Sequence, residues 1–164
     1  MTTTPPPATT PVVDAISNLS FSGNILPPHW LKKITMSNGK PDLAGVIILS
    51  DIIYWYRARE IRDEGSGTLT GRCKRFKADK LQRSVRQLSE QFGLTMNQVR
   101  DALARLQKGG YITKELRTVE TDGGALLLNV LFIEPVPEAI KDLVDSGKTL
   151  VDYGSSDINQ HDLG

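Results

Sequence analysis

The stretch Gly93–Gly110, "GLTMNQVRDALARLQKGG", decides how the chain is expected to fold. Its apolar residues recur at the three- and four-residue spacing of one helix face. They are Val99, Ala102, Leu103 and Leu106. Thr95 and Gln98 have the spacing of a capping box, and Gly109-Gly110 are typical of a helix end. We therefore predict a helix from Met96 to about Lys108.

A second, shorter helix is predicted just before this one. Ser84 and Gln87 repeat the capping-box spacing, and the helix runs from Val85 to about Gln91, with Gly93 ending it. After the longer helix, 111–120 "YITKELRTVE" and 125–134 "ALLLNVLFIE" are strand-like, and "TDGG" between them predicts a hairpin turn. Two helices joined by a tight turn and followed at once by a β-hairpin predict a winged helix-turn-helix.

The segment 42–60, "DLAGVIILSDIIYWYRARE", is the most hydrophobic part of the chain. Asp42 is a suitable cap for a helix to about Ile61, whose apolar residues surround it and predict a buried centre. A strand at "GVIIL" is the alternative. Short helices are predicted at His29–Ile34, after a pair of prolines, and from Pro137 through Leu143.

The other segments predict loops and tails. Residues 62–83, "RDEGSGTLTGRCKRFKADKLQR", are interpreted as a loop followed by a basic run. Residues 1–20 are rich in Thr and Pro and predict a disordered arm, and 146–164 predict a disordered acidic tail. The predicted fold class is mainly α with a small antiparallel β-hairpin, in one domain over residues 21–145.

The net charge of +1 conceals an uneven distribution. Residues 72–117 contain 12 Lys and Arg against 4 Asp and Glu, a balance of +8, and the rest of the chain has a balance of −7. A local field depends on local charge, so the segment indicates a polyanionic partner.

The polar side of the predicted helix Met96–Lys108 supplies candidates for contact with DNA. An α-helix fits the major groove, where Asn pairs with adenine and Arg with guanine, while Lys commonly meets phosphate. Asn97 and Arg100 are the favoured base contacts. Gln98 is either a capping residue or a base contact, and Asp101 would repel phosphate unless it pairs with Arg105. Arg105 and Lys108 are either phosphate contacts or solvated side chains.

Further basic residues extend the predicted interface. Lys114 and Arg117 lie on the first strand of the hairpin, whose acidic turn argues against deep insertion into DNA. The basic run before the two helices, with one arginine inside the first, is expected to supply much of the electrostatic affinity. These residues are Arg72, Lys74, Arg75, Lys77, Lys80, Arg83 and Arg86.

Catalysis, metals and membranes are not indicated. His29 and His161 are far apart, no Cys/His group has zinc spacing, and "GSGTLTG" at 65–71 lacks the Lys-Ser/Thr ending of a phosphate-binding loop. Cys73, beside two cations, is the only hint of a reactive group. We expect no cofactor and no enzyme activity. A lone cysteine, no apolar run long enough for a membrane span and no signal-peptide pattern predict a cytoplasmic protein.

Two longer stretches, "AGVIILSDIIYWYRARE" and "SVRQLSEQFGLTMNQVRDALARLQKGGYI", resemble the N-terminal winged-helix domain of phage and plasmid replication-initiation proteins. The resemblance covers about residues 40–135 and includes the Tyr54-Trp55 pair and the passage Leu106–Ile112. It implies binding at a replication origin and recruitment of a helicase or its loader. Such proteins usually carry a second, recruiting domain, so a stand-alone module, a repressor or an accessory component stays open.

The alternative function is a protein-interaction module whose partner is a second copy of the chain or a replication or transcription protein. In that case the helix from Asp42 would be the interface, with Tyr54, Trp55 and Tyr56 as contact residues. The leading prediction is sequence-specific binding of double-stranded DNA, in replication initiation or transcription control of a phage, plasmid or other mobile element.

Overall fold

The computed structural model describes residues 4–154, with side chains described through residue 147. Within that range the chain forms six helices and five strands. The helices are α1 (Pro11–Ser17), α2 (Trp30–Lys33), α3 (Leu43–Tyr56), α4 (Val85–Phe92), α5 (Met96–Lys108) and α6 (Pro137–Gly154). The strands are β1 (Arg59–Arg62), β2 (Leu69–Cys73), β3 (Leu81–Gln82), β4 (Ile112–Glu120) and β5 (Leu126–Pro135). The last part of the predicted tail, with His161, lies outside the described residues.

Helix α3 is the centre of the core, as its composition predicts. Asp42 caps it by accepting a 2.9 Å hydrogen bond from the Gly45 amide. Four of the apolar residues that follow are fully buried, namely Val46, Ile48, Leu49 and Ile52. The strand alternative for "GVIIL" is wrong. The helix is also shorter than predicted, because the backbone is already extended at Arg57 and continues into β1.

The predicted fold class, mainly α with one hairpin, is wrong, because the described chain is mixed α/β with two antiparallel sheets. The segment interpreted as a loop forms the β1–β2 ribbon and the short strand β3. β3 pairs with β5, through Leu81 opposite Ile133, and gives a sheet of order β3-β5-β4. Strands β1 and β2 show no hydrophobic pattern in the sequence, because both faces of the ribbon are largely exposed to water. The winged helix-turn-helix is not confirmed.

Helices α4 and α5 have the bounds and caps that the sequence predicts, to within a residue. Both capping boxes are formed, from Ser84 with Gln87 and from Thr95 with Gln98. Gly93 ends α4 at φ 68°, in the left-handed region where a side chain would be strained. The predicted hairpin is also present, with its turn at residues 121–124.

The two ends of the domain are more helical than predicted. Within the expected disordered arm, Thr10 caps α1 and Pro11 begins it, although no residue of α1 is buried. α6 continues past Leu143, which is buried against α2. His29 Nε2 donates a 2.8 Å hydrogen bond to the Leu143 carbonyl, which fixes α6 to the N-terminal side of the core.

Tyr56 connects α3 to the three-stranded sheet. Its hydroxyl donates to the Ile133 carbonyl at 2.6 Å and accepts from the Leu81 amide at 2.9 Å. Tyr54 and Trp55 are half-buried and packed edge to face. The aromatic end of α3 therefore contacts the rest of the domain, although Tyr54, Trp55 and Tyr56 each stay partly exposed.

Candidate nucleic-acid interface

Helix α5 is buried on one side and exposed on the other. Its apolar residues are 0–1% exposed. They are Val99, Ala102, Leu103 and Leu106. Opposite them, Asn97, Arg100, Ala104 and Lys108 are exposed. The Arg100 guanidinium donates a 3.2 Å hydrogen bond to Asn97 Oδ1, so the two favoured base contacts lie side by side. The helical periodicity predicted this division correctly.

One flank of α5 is used inside the protein. Arg105 donates two hydrogen bonds to the Asp42 carboxylate, 2.7 and 2.9 Å long, and Asp42 is 1% exposed. Burial raises the pKa of Asp42, but the hydrogen bonds from Arg105 and Gly45 and the Arg105 charge outweigh it, so the pKa lies below its usual value. The same hydrogen bond to Asp42 raises the pKa of Arg105. The guanidinium of Arg105 therefore forms a structural ion pair with Asp42 within the protein.

Gln98 and Asp101 belong to this same flank. The Gln98 side-chain oxygen accepts from the Thr95 amide at 2.9 Å, so it serves the capping box that the sequence indicated. Asp101 lines a depression shared with Arg105 and the start of α3. The predicted Asp101–Arg105 ion pair does not form within the described part of the chain, because Arg105 reaches Asp42 instead. Asp101 is exposed and is not among the residues that line the groove next to the hairpin.

The other flank of α5 faces the hairpin across a groove of about 450 Å³. Arg100 and Gln107 line it from α5, and Lys114 lines it from β4. Its apolar floor consists of Val85, Leu103, Leu116 and Leu131. No carboxylate is among these lining residues. We name this surface, Asn97, Arg100, Gln107, Lys108 and Lys114, the α5–β4 face.

Several cations of the predicted basic run have partners within the protein. Arg83 pairs with the buried Asp51 at 3.0 Å and also contacts Gln91. Arg75 donates to the Arg57 carbonyl at 2.7 Å. Lys74 donates to the Ala78 carbonyl, and Lys80 pairs with Glu115 at 3.1 Å.

Arg117 is the most strongly paired of the predicted DNA contacts. It donates to Asp79 at 2.7 and 3.0 Å and to Glu115 at 3.0 Å, and its guanidinium lies 4.5 Å from the Phe132 ring centre. The hydrogen bond from Arg117 lowers the pKa of Asp79 to about 2. Lys114 and Arg117 are separated by an odd number of strand positions, so they point to opposite faces of the sheet. Only Lys114 joins the α5–β4 face.

The remaining predicted cations make no carboxylate contact within residues 4–147. They are Arg72, Lys77, Arg86, Lys108 and Lys114, and all except the half-buried Lys114 are exposed. Gln107 was not predicted from the sequence as part of the interface. Its position two turns after Arg100, on the same side of the helix, is the signal that would have found it.

The described residues contain no group of three or more His, Cys, Asp and Glu arranged to hold a metal ion. None of the helices in residues 4–154 has the length and hydropathy of a membrane span. No protein-family model, no curated protein and no solved structure matches the chain.

Proposed function

We propose that the protein binds double-stranded DNA in a sequence-specific way through the α5–β4 face. The observation that carries the proposal is the groove in which Arg100 and Gln107 of α5 meet Lys114 of β4 with no carboxylate between them. Asp101, whose charge would repel phosphate, does not line this groove and lies beside Arg105 in the depression next to α3.

The chemistry of the face matches the major groove. An exposed α-helix enters this groove, where Arg reaches guanine O6 and N7 and Asn reaches adenine N6 and N7. We assign these roles to Arg100 and Asn97. Lys108 and Lys114 of this face pair with no carboxylate among the described residues and suit phosphate contacts, which give affinity without sequence preference.

The biological setting that we propose follows the resemblance to replication initiators. It is replication initiation or transcription control in a phage, plasmid or other mobile element, with the protein in the cytoplasm. The protein acts by binding rather than by catalysis in this proposal.

The test begins with selection of bound duplexes from a random pool, followed by fluorescence polarisation on the selected site. Arg100→Ala should weaken binding to that site by roughly 5- to 150-fold, because a bidentate base contact discriminates by about 1–3 kcal/mol. Arg100→Lys should recover little, since Lys lacks the planar fork. Lys32→Ala is the matched control: it removes one exposed charge from α2, which does not line the groove.

Lys114→Ala should weaken binding to all sequences alike and lower the slope of log affinity against log salt by about 1. The absence of duplex binding at about 50 mM salt would refute the proposal. Equal effects of Arg100→Ala and Lys32→Ala would refute the role of the α5–β4 face.

A further inference from the structure

The segment before the core exposes an unusual run of large apolar side chains. Their exposed fractions lie between 48% and 78%. They are Val12, Val13, Ile16, Leu19, Phe21 and Ile25. Single exposed apolar residues are ordinary, but a run of them marks a surface that contacts another molecule. We call residues 10–26 the N-terminal arm.

Helix α1 presents its own three exposed apolar side chains on one face. At 100° per residue, Val12, Val13 and Ile16 fall within an arc of about 100°, and Asp14 falls on the opposite side. Asp14 is the only charged residue of the arm. The apolar face can therefore be buried without removing a charge from water, which is the costly step in most docking.

The folded core carries a second apolar surface. A groove of about 580 Å³ runs between α3, the end of β5 and α6, and we call it the α3–α6 groove. Its apolar walls are Ile53, Pro135, Pro137, Ile140 and Val144. Its size falls in the range of about 300–1,000 Å³ that protein binding sites occupy.

The charges at the rim of the groove suit this arm. Arg57, Lys141 and Glu134 line it, and Lys141 is already paired with Asp145 at 2.8 Å. The Arg57 guanidinium lies 5.6 Å from the Tyr54 ring centre and pairs with no carboxylate in the described part of the chain. An arm without cations meets no repulsion from this rim, and a basic segment would.

We propose that two copies of the chain exchange N-terminal arms, so that the apolar face of α1 from each copy lies in the α3–α6 groove of the other. Among the described residues of one copy, the arm side chains are exposed and the groove is open, so neither apolar surface has a partner there. Reciprocal exchange is a two-fold, self-complementary contact, the commonest form of protein dimer. The dimer makes the same contact twice and leaves Asp14 in solvent.

Sedimentation velocity without DNA tests the proposal. The full chain should sediment as a dimer, at twice the 18.1 kDa of one chain. Ile16→Asp in the arm and Val144→Asp in the groove should each give a monomer, with circular dichroism spectra unchanged because both positions are exposed. Asp14→Asn is the control in the arm, and it should remain a dimer.

Mixing the two monomeric variants distinguishes exchange from docking within one chain. The intact arm of Val144→Asp fits the intact groove of Ile16→Asp, so the mixture should form a heterodimer with one of its two contacts restored. A full chain that stays monomeric at all concentrations overturns the proposal, and so does a dimer that survives both variants. A mixture without heterodimer overturns it as well. The measurement needs no DNA, so it stands or fails separately from the DNA-binding proposal.

Discussion

Replacing Arg105 with Met is expected to destabilise the fold, because it leaves the Asp42 carboxylate buried without its cation. Met keeps most of the aliphatic stem, so the change removes the charge and the two hydrogen bonds of 2.7 and 2.9 Å more than the packing. The Asp42 side chain is 2% exposed and the Arg105 side chain 33% exposed. The Asp42 carboxylate is thus buried, whereas the Arg105 guanidinium is partly exposed to solvent.

The expected cost follows from that burial. Breaking a fully buried ion pair by removing one partner costs about 3–5 kcal/mol, and exposure of Arg105 reduces this through solvent screening. Asp42 also keeps the hydrogen bond from Gly45. We expect a loss of about 2–3 kcal/mol, in which the unpaired carboxylate is the main part. Asp42→Asn should cost less, since Asn still caps a helix and still accepts from Arg105.

Urea denaturation followed by circular dichroism measures this loss. With a slope of about 1–3 kcal/mol per molar urea, the midpoint should fall by roughly 0.7–3 M. The pKa of Asp42 is lowered in the folded state, so the pair stabilises the protein above the unfolded pKa and its contribution fades as pH falls through the folded pKa. The difference between wild type and Arg105→Met should therefore narrow between about pH 5 and pH 2.

A midpoint shift below about 0.3 M at pH 7 would refute the reasoning. So would a shift that is the same at pH 7 and pH 3, because a packing effect does not titrate. The double variant with Asp42→Asn should cost less than the sum of the two single changes, since the groups act as one pair.

Two glycines give further predictions. A methyl group at Gly147 would overlap the His29 imidazole, so Gly147→Ala should lower thermal stability by about 1–3 kcal/mol despite the helix propensity of Ala. Gly123→Ala is the control, because its methyl group would enter open space. Equal melting temperatures of the two variants would contradict the α2–α6 contact. Gly93→Ala should lower the free energy of unfolding by about 1 kcal/mol, because Gly93 has a left-handed φ of 68°. Gly93→Asn should lower it less. An Ala variant as stable as wild type in thermal unfolding would show that the turn after α4 relaxes.

The sequence predicts the local features of α4, α5 and the β4–β5 hairpin, because capping boxes, helix-ending glycines and the "TDGG" turn act over a few residues. The two-residue strand β3 is different. It exists because residues about fifty positions away in β5 offer a partner edge, and no local pattern reports that. The β1–β2 ribbon is missed for a related reason, since its exposed polar residues show no buried face.

The candidate site was predicted in the same uneven way. Periodicity placed Asn97, Arg100 and Lys108 on the exposed side of α5. It could not show that Arg105 reaches back to Asp42 or that Arg117 meets Asp79, because those partners are distant in the chain. Charge counting treats paired and free cations alike, and only tertiary structure separates them.

Strand β3 has a consequence for how this protein is dissected. It covers one edge of β5, and it stands before both capped helices in the chain. A fragment that began at Ser84 would retain every residue of the α5–β4 face and yet uncover that edge. Open strand edges pair with other chains and cause aggregation. The smallest useful fragment for binding studies therefore keeps β3 as well as α3, the centre of the core, although neither element contacts DNA in our proposal.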